Sequence, residues 1–320
     1  MIPRIWRRMG TIASEEKLAA PRYGLAALIV ANALLALGPM FVRIADTGPV
    51  ASAFWRMALA LPLIALMAYV GPKSSGRMTP MLIVIIAASG ILFAADLASW
   101  HVGIMNTKVA NATLFGNSAS LLFPIYGFVI ARAWPAKRQL VALLIAAAGA
   151  GLLMGRSAEL SPEHLVGDLL SLLAGVFYAA YFIAIARARA TLSPLPLLAA
   201  STLASAPPLI LLAYVLGEQI VPTVWGPLIA LAVCSQVVGQ GLMTYALGRM
   251  SPLTIGLTLL TQPVVAALTG WLVFGETLAP LDFVGAAMVG LALVLVRQPV
   301  TPKLPGAAEP LEDHSKKHRD

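Results

Sequence analysis

Residues 106–155, NTKVANATLFGNSASLLFPIYGFVIARAWPAKRQLVALLIAAAGAGLLMG, and residues 250–297, MSPLTIGLTLLTQPVVAALTGWLVFGETLAPLDFVGAAMVGLALVLVR, follow one plan. Each has a polar lead-in, a half-segment of small and polar residues, a proline, a charged turn and a final Gly/Ala-rich stretch. They stand 144 residues apart, so the chain reads as a duplication. The residues on either side of each copy must then complete a repeat.

Composition fixes the solvent of these repeats. Of 320 residues, 59% are hydrophobic and 11% charged, with a mean hydropathy of +0.85. An ordinary soluble domain has about 25% charged residues, so a bilayer is the medium that fits. The net charge of +8 raises the question of nucleic acid. The basic residues lie between apolar runs and in the tails, not on an interleaved basic and aromatic surface, so no nucleic-acid partner is expected. Cys234, the single cysteine, sits in an apolar run, which excludes an intrachain disulfide and leaves no Cys-based metal site. His164, His314 and His318 fall in a loop and the C-terminal tail and make no metal constellation. The N-terminal residues are polar and basic, and the first apolar run is too long for a signal-peptide core, so no cleaved leader is expected.

Unpaired backbone cannot face lipid, so apolar runs of about 20 residues predict membrane helices. Ten such spans are expected, near 23–45, 50–70, 80–102, 108–131, 138–156, 166–187, 195–216, 225–247, 252–274 and 280–297. The fold class is thus an all-α integral membrane protein. Residues 1–22 form an N-terminal tail, 23–156 a first five-helix repeat, 166–297 a second, and 298–320 a Pro-rich, charged, disordered tail. Lys and Arg alternate sharply between the two sides. Eighteen lie on the side of both tails, and three, Arg43, Lys108 and Arg156, on the other; Arg56 is inside a span. By the positive-inside rule both tails are cytoplasmic, at an inner (plasma) membrane of bacterial type. Five is odd, so the second repeat is inverted. The turn after the fourth span is basic (Arg132, Lys137, Arg138), and its counterpart after the ninth is acidic (Glu276, Asp282), as inversion requires.

Four stretches carry a family resemblance: FWRMALALP (54–62), DLASWHVGIMNTKVANATLFGN (96–117), GDLLSLLAGVFYAAYF (167–182) and LTLLTQPVVAALTGWLVFGETLAPLDFVGAAMVGLALVLV (257–296). With these the chain resembles EamA-type transporters of the drug/metabolite transporter superfamily, with two copies of the domain over roughly residues 21–298. Arg132 departs from the Gly-Glu turn usual in that family. The resemblance implies ten helices, no ATP-binding domain, and export or exchange of small metabolites. It does not carry a substrate.

Intramembrane polar residues are the site candidates. Ala112, Gly116 and Ser120 form a small-residue stripe suited to helix packing. Ionisable groups inside the membrane cost at least about 2.5 kcal/mol each on insertion scales, and they face the bundle interior. Arg56 and Asp96 are the two strong cases, each about six residues below the same surface. They serve either as a structural ion pair or in substrate or proton binding, and both readings are open. Asp168, at the start of the sixth span, is expected to reach water, and His101 to lie at the interface near the cavity mouth. Asn117, Gln236 with Gln240 at i and i+4, Thr258 and Gln262 mark inward faces of the fourth, eighth and ninth spans. At the repeat offset, Asn117 and Ser118 correspond to Thr261 and Gln262. Tyr178 adds an aromatic wall, with Tyr181 beside it; Asn32 with Pro39 makes a weaker stripe. Trp100, one turn from Asp96, is either a wall or part of the interfacial aromatic belt. Asp96, Asn111 and Asn117 are expected to turn toward a water-accessible cavity. Pro62, Pro207 and Pro208 are expected to kink the second and seventh spans.

These residues point to a secondary transporter, exporting small organic metabolites such as amino acids or drugs by alternating access. Its partners would be that solute, membrane lipid and a coupling proton or ion, with no cofactor. Two rivals are an intramembrane enzyme, which would need a nucleophile–base pair or metal cluster at one depth, and a non-transporting membrane sensor.

Overall fold

A computed structural model describes residues 21–71, 78–132, 134–155, 161–274 and 279–297. The expected tails, the Lys73–Arg77 loop and Glu276 lie outside the described residues. All regular structure among the described residues is helical. Eight helical passages are long and apolar enough to cross a membrane: Tyr23–Ile44, Pro49–Val70, Pro80–Asn106, Asn111–Ala131, Pro162–Ala188, Pro194–Val215, Gly226–Leu247 and Pro252–Thr269. We number these spans 1–4 and 6–9. The helices Lys137–Gly155 and Pro280–Arg297 occupy the places of spans 5 and 10. They lie against each other, and Gly149 and Gly285 bring the two backbones together. A Cβ on Gly149 would lie 2.7 Å from the Gly285 carbonyl oxygen, and one on Gly285 would lie 2.6 Å from that of Gly149.

Most of the packing is repeated when each span is exchanged for the fifth one after it. Spans 2 and 7, 4 and 9, and 5 and 10 pair with each other. Span 3 lies along span 6, as span 8 lies along span 1; span 3 meets span 7, as span 8 meets span 2. Span 4 meets span 6, as span 9 meets span 1. Two copies of one sequence plan thus form one interlocked core, built around Phe93, Phe123, Tyr181 and Phe182.

Three spans are interrupted partway through. Span 1 breaks between Pro21–Leu35 and Gly38–Ile44, where Pro39 has no N–H to carry the ladder through. Span 4 breaks between Val109–Gly116 and Ala119–Ala131, and span 9 between Pro252–Leu259 and Gln262–Phe274. Polar side chains compete for helix carbonyls at both places: Asn117 Nδ2 donates to Thr113 O (2.8 Å) and Thr261 Oγ1 to Thr258 O (2.7 Å). These are the residues that the repeat offset aligns. The prolines expected to kink spans 2 and 7 sit inside continuous helices, Pro49–Val70 and Pro194–Val215. Span 8 winds as a π-helix over Leu231–Gln240, a form found mostly at functional sites.

One end of the bundle is strapped shut across the repeats. The loop after span 7 lies on the start of span 2. There Glu218 accepts hydrogen bonds from the N–H groups of Val50 (3.2 Å) and Ala51 (2.7 Å), orphan donors of a helix N-terminus. Trp55 Nε1 donates to Ile220 O (2.6 Å), and Asp46 accepts from the hydroxyl and N–H of Thr223 and the N–H of Val224. At the far end, Arg189 donates to the carbonyls of Thr244 and Leu192, tying the turn after span 6 to the end of span 8.

Candidate functional site

The three helix breaks converge on one cavity. Leu35, Ala36 and Pro39 from span 1, Gly116, Asn117 and Ala119 from span 4, and Leu259 and Gln262 from span 9 all line it. About 650 Å³ not filled by atoms lies among these residues, open solvent at the mouth included. Breaks put unpaired backbone groups and short polar side chains at mid-depth, which is tolerated where they line a cavity and not where they meet lipid.

Arg56 from span 2 and Asp96 from span 3 both reach the cavity wall, as does Trp100 one turn further along span 3. Arg56 is 3% and Asp96 8% exposed, so both charges are taken out of bulk solvent. They are near enough for each charge to act on the other, yet they make no ion pair within 4.0 Å among the described residues. A structural lock through direct contact is therefore not what this conformation holds. Arg56 Nε donates instead to Gln236 Oε1 (3.2 Å), and the Gln236 amide donates to Thr202 Oγ1 (3.0 Å). The guanidinium also lies 5.7 Å from the Phe93 ring centroid, within cation–π range.

Aromatic rings lie beside Arg56. Phe93 stacks on Tyr181 at 4.4 Å and on Tyr178 at 6.3 Å. Tyr178 donates its hydroxyl to Gln240 Oε1 (3.1 Å). Gln262 Nε2 donates to Asn32 Oδ1 (2.9 Å), fastening the ninth span to the first. Six of the nine candidates, Arg56, Asp96, Trp100, Asn117, Tyr178 and Gln262, therefore line one cavity. Gln236 and Gln240 stand one side chain behind it and orient Arg56 and Tyr178. Thr258 is buried and donates to Ile255 O (2.8 Å) within its own helix.

Other expectations are corrected. Asp168 is 7% exposed and accepts from Thr107 Oγ1 (2.7 Å) and Asn111 Nδ2 (2.9 Å). Asn111 thus serves a buried carboxylate and does not line the cavity. The cause is span 3, which runs to Asn106 rather than ending at 102 and brings Thr107 down beside span 6. His101 is fully buried, with Nδ1 at 2.9 Å from Ser52 Oγ and 3.0 Å from Pro49 O, so it belongs to the strapped end rather than to an interface. Phe93 and Thr113 line the cavity although no sequence feature marked Phe93. Its i−3 spacing from Asp96 was the available signal.

Eight helical passages long and apolar enough to cross a membrane, broken where both repeats line one cavity, make this a multi-pass membrane protein. The sequence matches the EamA-like transporter family twice, over residues 22–155 and 165–298, and the chain belongs to that family. One solved crystal structure superposes with a TM-score of 0.69 at 17% identity, over 86% of this chain and 96% of its own. At that identity the likeness concerns the fold alone. Among curated proteins none matches the sequence.

Proposed function

We propose that this protein is a secondary transporter rather than an enzyme or a sensor, exporting a small organic solute across the inner membrane by alternating access. In this reading the chain crosses ten times, as two inverted five-helix repeats with both tails cytoplasmic. The observation that carries it is the meeting of three helix breaks, from both repeats, at one charged cavity. Discontinuous helices at a repeat interface are how transporters present polar groups at mid-membrane. The near-symmetry of the packing supports two exchangeable states, because a contact that one half makes and the other does not, such as that of span 9 on span 5, is one the other half could adopt. In this topology the strap of Asp46, Glu218 and Trp55 closes the outer side and Arg189 lies at the cytoplasmic side. Amino acids and related metabolites or drugs are the candidate solutes, and a proton or other ion could couple their export.

The full chain in liposomes is the test. It should move a small organic solute without ATP, and Asn117→Ala and Gln240→Ala should each reduce that flux, the first by altering the cavity wall and the second by freeing Tyr178. Flux that strictly requires ATP in the lumen would overturn the secondary-transport reading.

A further inference from the structure

We propose that an anionic phospholipid of the phosphatidylglycerol type binds between spans 1 and 8, its phosphate held by Arg249 and Arg189 and one acyl chain laid in the groove beside them. The inference does not rest on transport. Span 1 packs along span 8 through its first half-helix, Pro21–Leu35. On the surface of the bundle this contact leaves an open apolar groove lined by Tyr23, Ala26, Ala27, Val30, Leu242 and Tyr245. From Tyr23 to Val30 is two turns of helix, about 10 Å, so the groove runs along the spans and not across them. Any lipid chain would suit such walls, which by themselves choose no headgroup.

The end of the groove makes the choice. Arg249 lies over the Tyr245 ring, with its guanidinium carbon 4.1 Å from the ring centroid. It is exposed and makes no hydrogen bond through its side chain and no ion pair within 4.0 Å among the described residues. Beside it stands Arg189, whose Nη2 is so near Gly248 that a Cβ there would lie 2.6 Å away. Arg189 uses Nε and Nη1 on the carbonyls of Thr244 and Leu192, and among the described residues its Nη2 bonds to nothing. The two charges repel: burial first, and then Arg249, lowers the Arg189 pKa from the ordinary arginine value. Adjacent guanidinium groups with no carboxylate between them are an incomplete site, which a shared anion completes through charge-assisted hydrogen bonds. Arginine forks match phosphate oxygens, and basic pockets at the ends of membrane helices take anionic headgroups. Tyr245 joins the two parts, because its ring both lines the groove and carries Arg249. A soluble anion would meet the charges and leave the groove bare. A phosphatidylcholine would fill the groove and bring its own cation against the arginines. In the proposed topology this end lies at the cytoplasmic leaflet, whose surface potential is negative.

The test titrates the full chain in mild detergent with dioleoylphosphatidylglycerol or dioleoylphosphatidylcholine and counts bound lipids by native mass spectrometry. The first phosphatidylglycerol should bind about tenfold or more tighter than the first phosphatidylcholine. Arg249→Gln should cut that preference about fivefold, and Arg249→Lys should keep part of it. Ala26→Trp, at an exposed position of the groove wall, should weaken both lipids, whereas Arg132→Gln, at an exposed arginine in the turn after span 4, should change neither. Arg189→Gln would also remove the bonds that hold the turn after span 6, so Arg249 and Ala26 are the positions to change. Equal affinity for the two lipids, an unchanged preference in Arg249→Gln, or an equal loss in Arg132→Gln would overturn the proposal. So would a dimer that Ala26→Trp breaks, which puts a second copy in the groove. A preference for phosphatidylglycerol that appears only in the E309Q/E312Q/D313N variant would overturn it too, by putting the chain's own acidic tail on the arginines.

Discussion

Removing the side-chain amide of Asn111 takes a donor from the buried carboxylate of Asp168 and leaves Thr107 to hold it. Losing one hydrogen bond to a buried charged group costs about 1–3 kcal/mol. Asn111→Ala should therefore lower the melting temperature clearly in detergent. Asn117→Ala removes a bond to a carbonyl of its own helix, so it should leave stability nearly unchanged and act on solute binding instead. Equal melting temperatures for the two variants would contradict this division. In sequence, both asparagines had the same standing, as amides at intramembrane depth. What separated them was the length of span 3, which decides whether Thr107 and Asn111 meet Asp168, and helix length cannot be read from hydropathy when the flanking residues are themselves small or apolar. Arg56 and Asp96 were legible because a charge inside an apolar run has few explanations. Phe93 was not, since a phenylalanine in a membrane helix is ordinary until its neighbours are known.

Spans 4 and 9 touch through the half-helix Ala119–Ala131 after one break and the half-helix Pro252–Leu259 before the other, and the contact is set by glycine. A Cβ on Gly256 would run into the Pro124 ring and the Ser120 carbonyl oxygen, and one on Gly127 would come within 2.8 Å of Pro252 Cβ. Gly256→Ala should push the spans apart at a cost of about 1–3 kcal/mol, by the rule for overpacking, and should reduce transport. Gly151→Ala meets nothing within 4 Å, so it should be tolerated or slightly stabilising in its helix. Melting temperatures and liposome flux of the two variants check the contrast; a harmless Gly256→Ala would mean that the breaks need no close approach. Apolar runs located the spans to within a few residues, because hydropathy responds to the average along a helix. The interruptions escaped that average. Proline drew attention to spans 2 and 7, yet a helix inside a bundle can carry a proline while its neighbours satisfy the freed carbonyl. In span 9 Pro263 has no N–H to carry the ladder through, and at the breaks of both spans 4 and 9 Asn117 and Thr261 bond to carbonyls of their own helix. The offset of 144 had already aligned those residues, though as a shared depth and not as a break.

Across the whole molecule the two repeats meet around the cavity and at the strapped end, and the strapped end depends on pH through Asp46. Hydrogen bonds from the Thr223 side chain, then from the backbone of Thr223 and Val224, hold that carboxyl below the ordinary aspartate range. Its contribution to closure is fully present above the ordinary value and fades as pH falls through the lowered one. Near neutrality the strap should be insensitive to pH, and acid should loosen it. Asp46→Asn should reproduce the acid state at pH 7, seen as faster thiol labelling of a cysteine placed at the fully buried Ala51 in a Cys234→Ser background; unchanged labelling would remove Asp46 from the closure.

The same strap holds two indoles edge to face, Trp55 from the first repeat and Trp225 from the second, with ring centroids 4.9 Å apart. Separating the strands would expose Trp55, break its bond to Ile220 and leave both rings in a wetter setting. The protein therefore contains a built-in optical reporter of its own opening. A red shift of intrinsic emission should accompany the conformational change, with no dye attached, and Trp55→Phe should abolish most of it while Trp271→Phe leaves it in place. An emission spectrum that stays constant while solute crosses the bilayer would mean that this end of the bundle never parts.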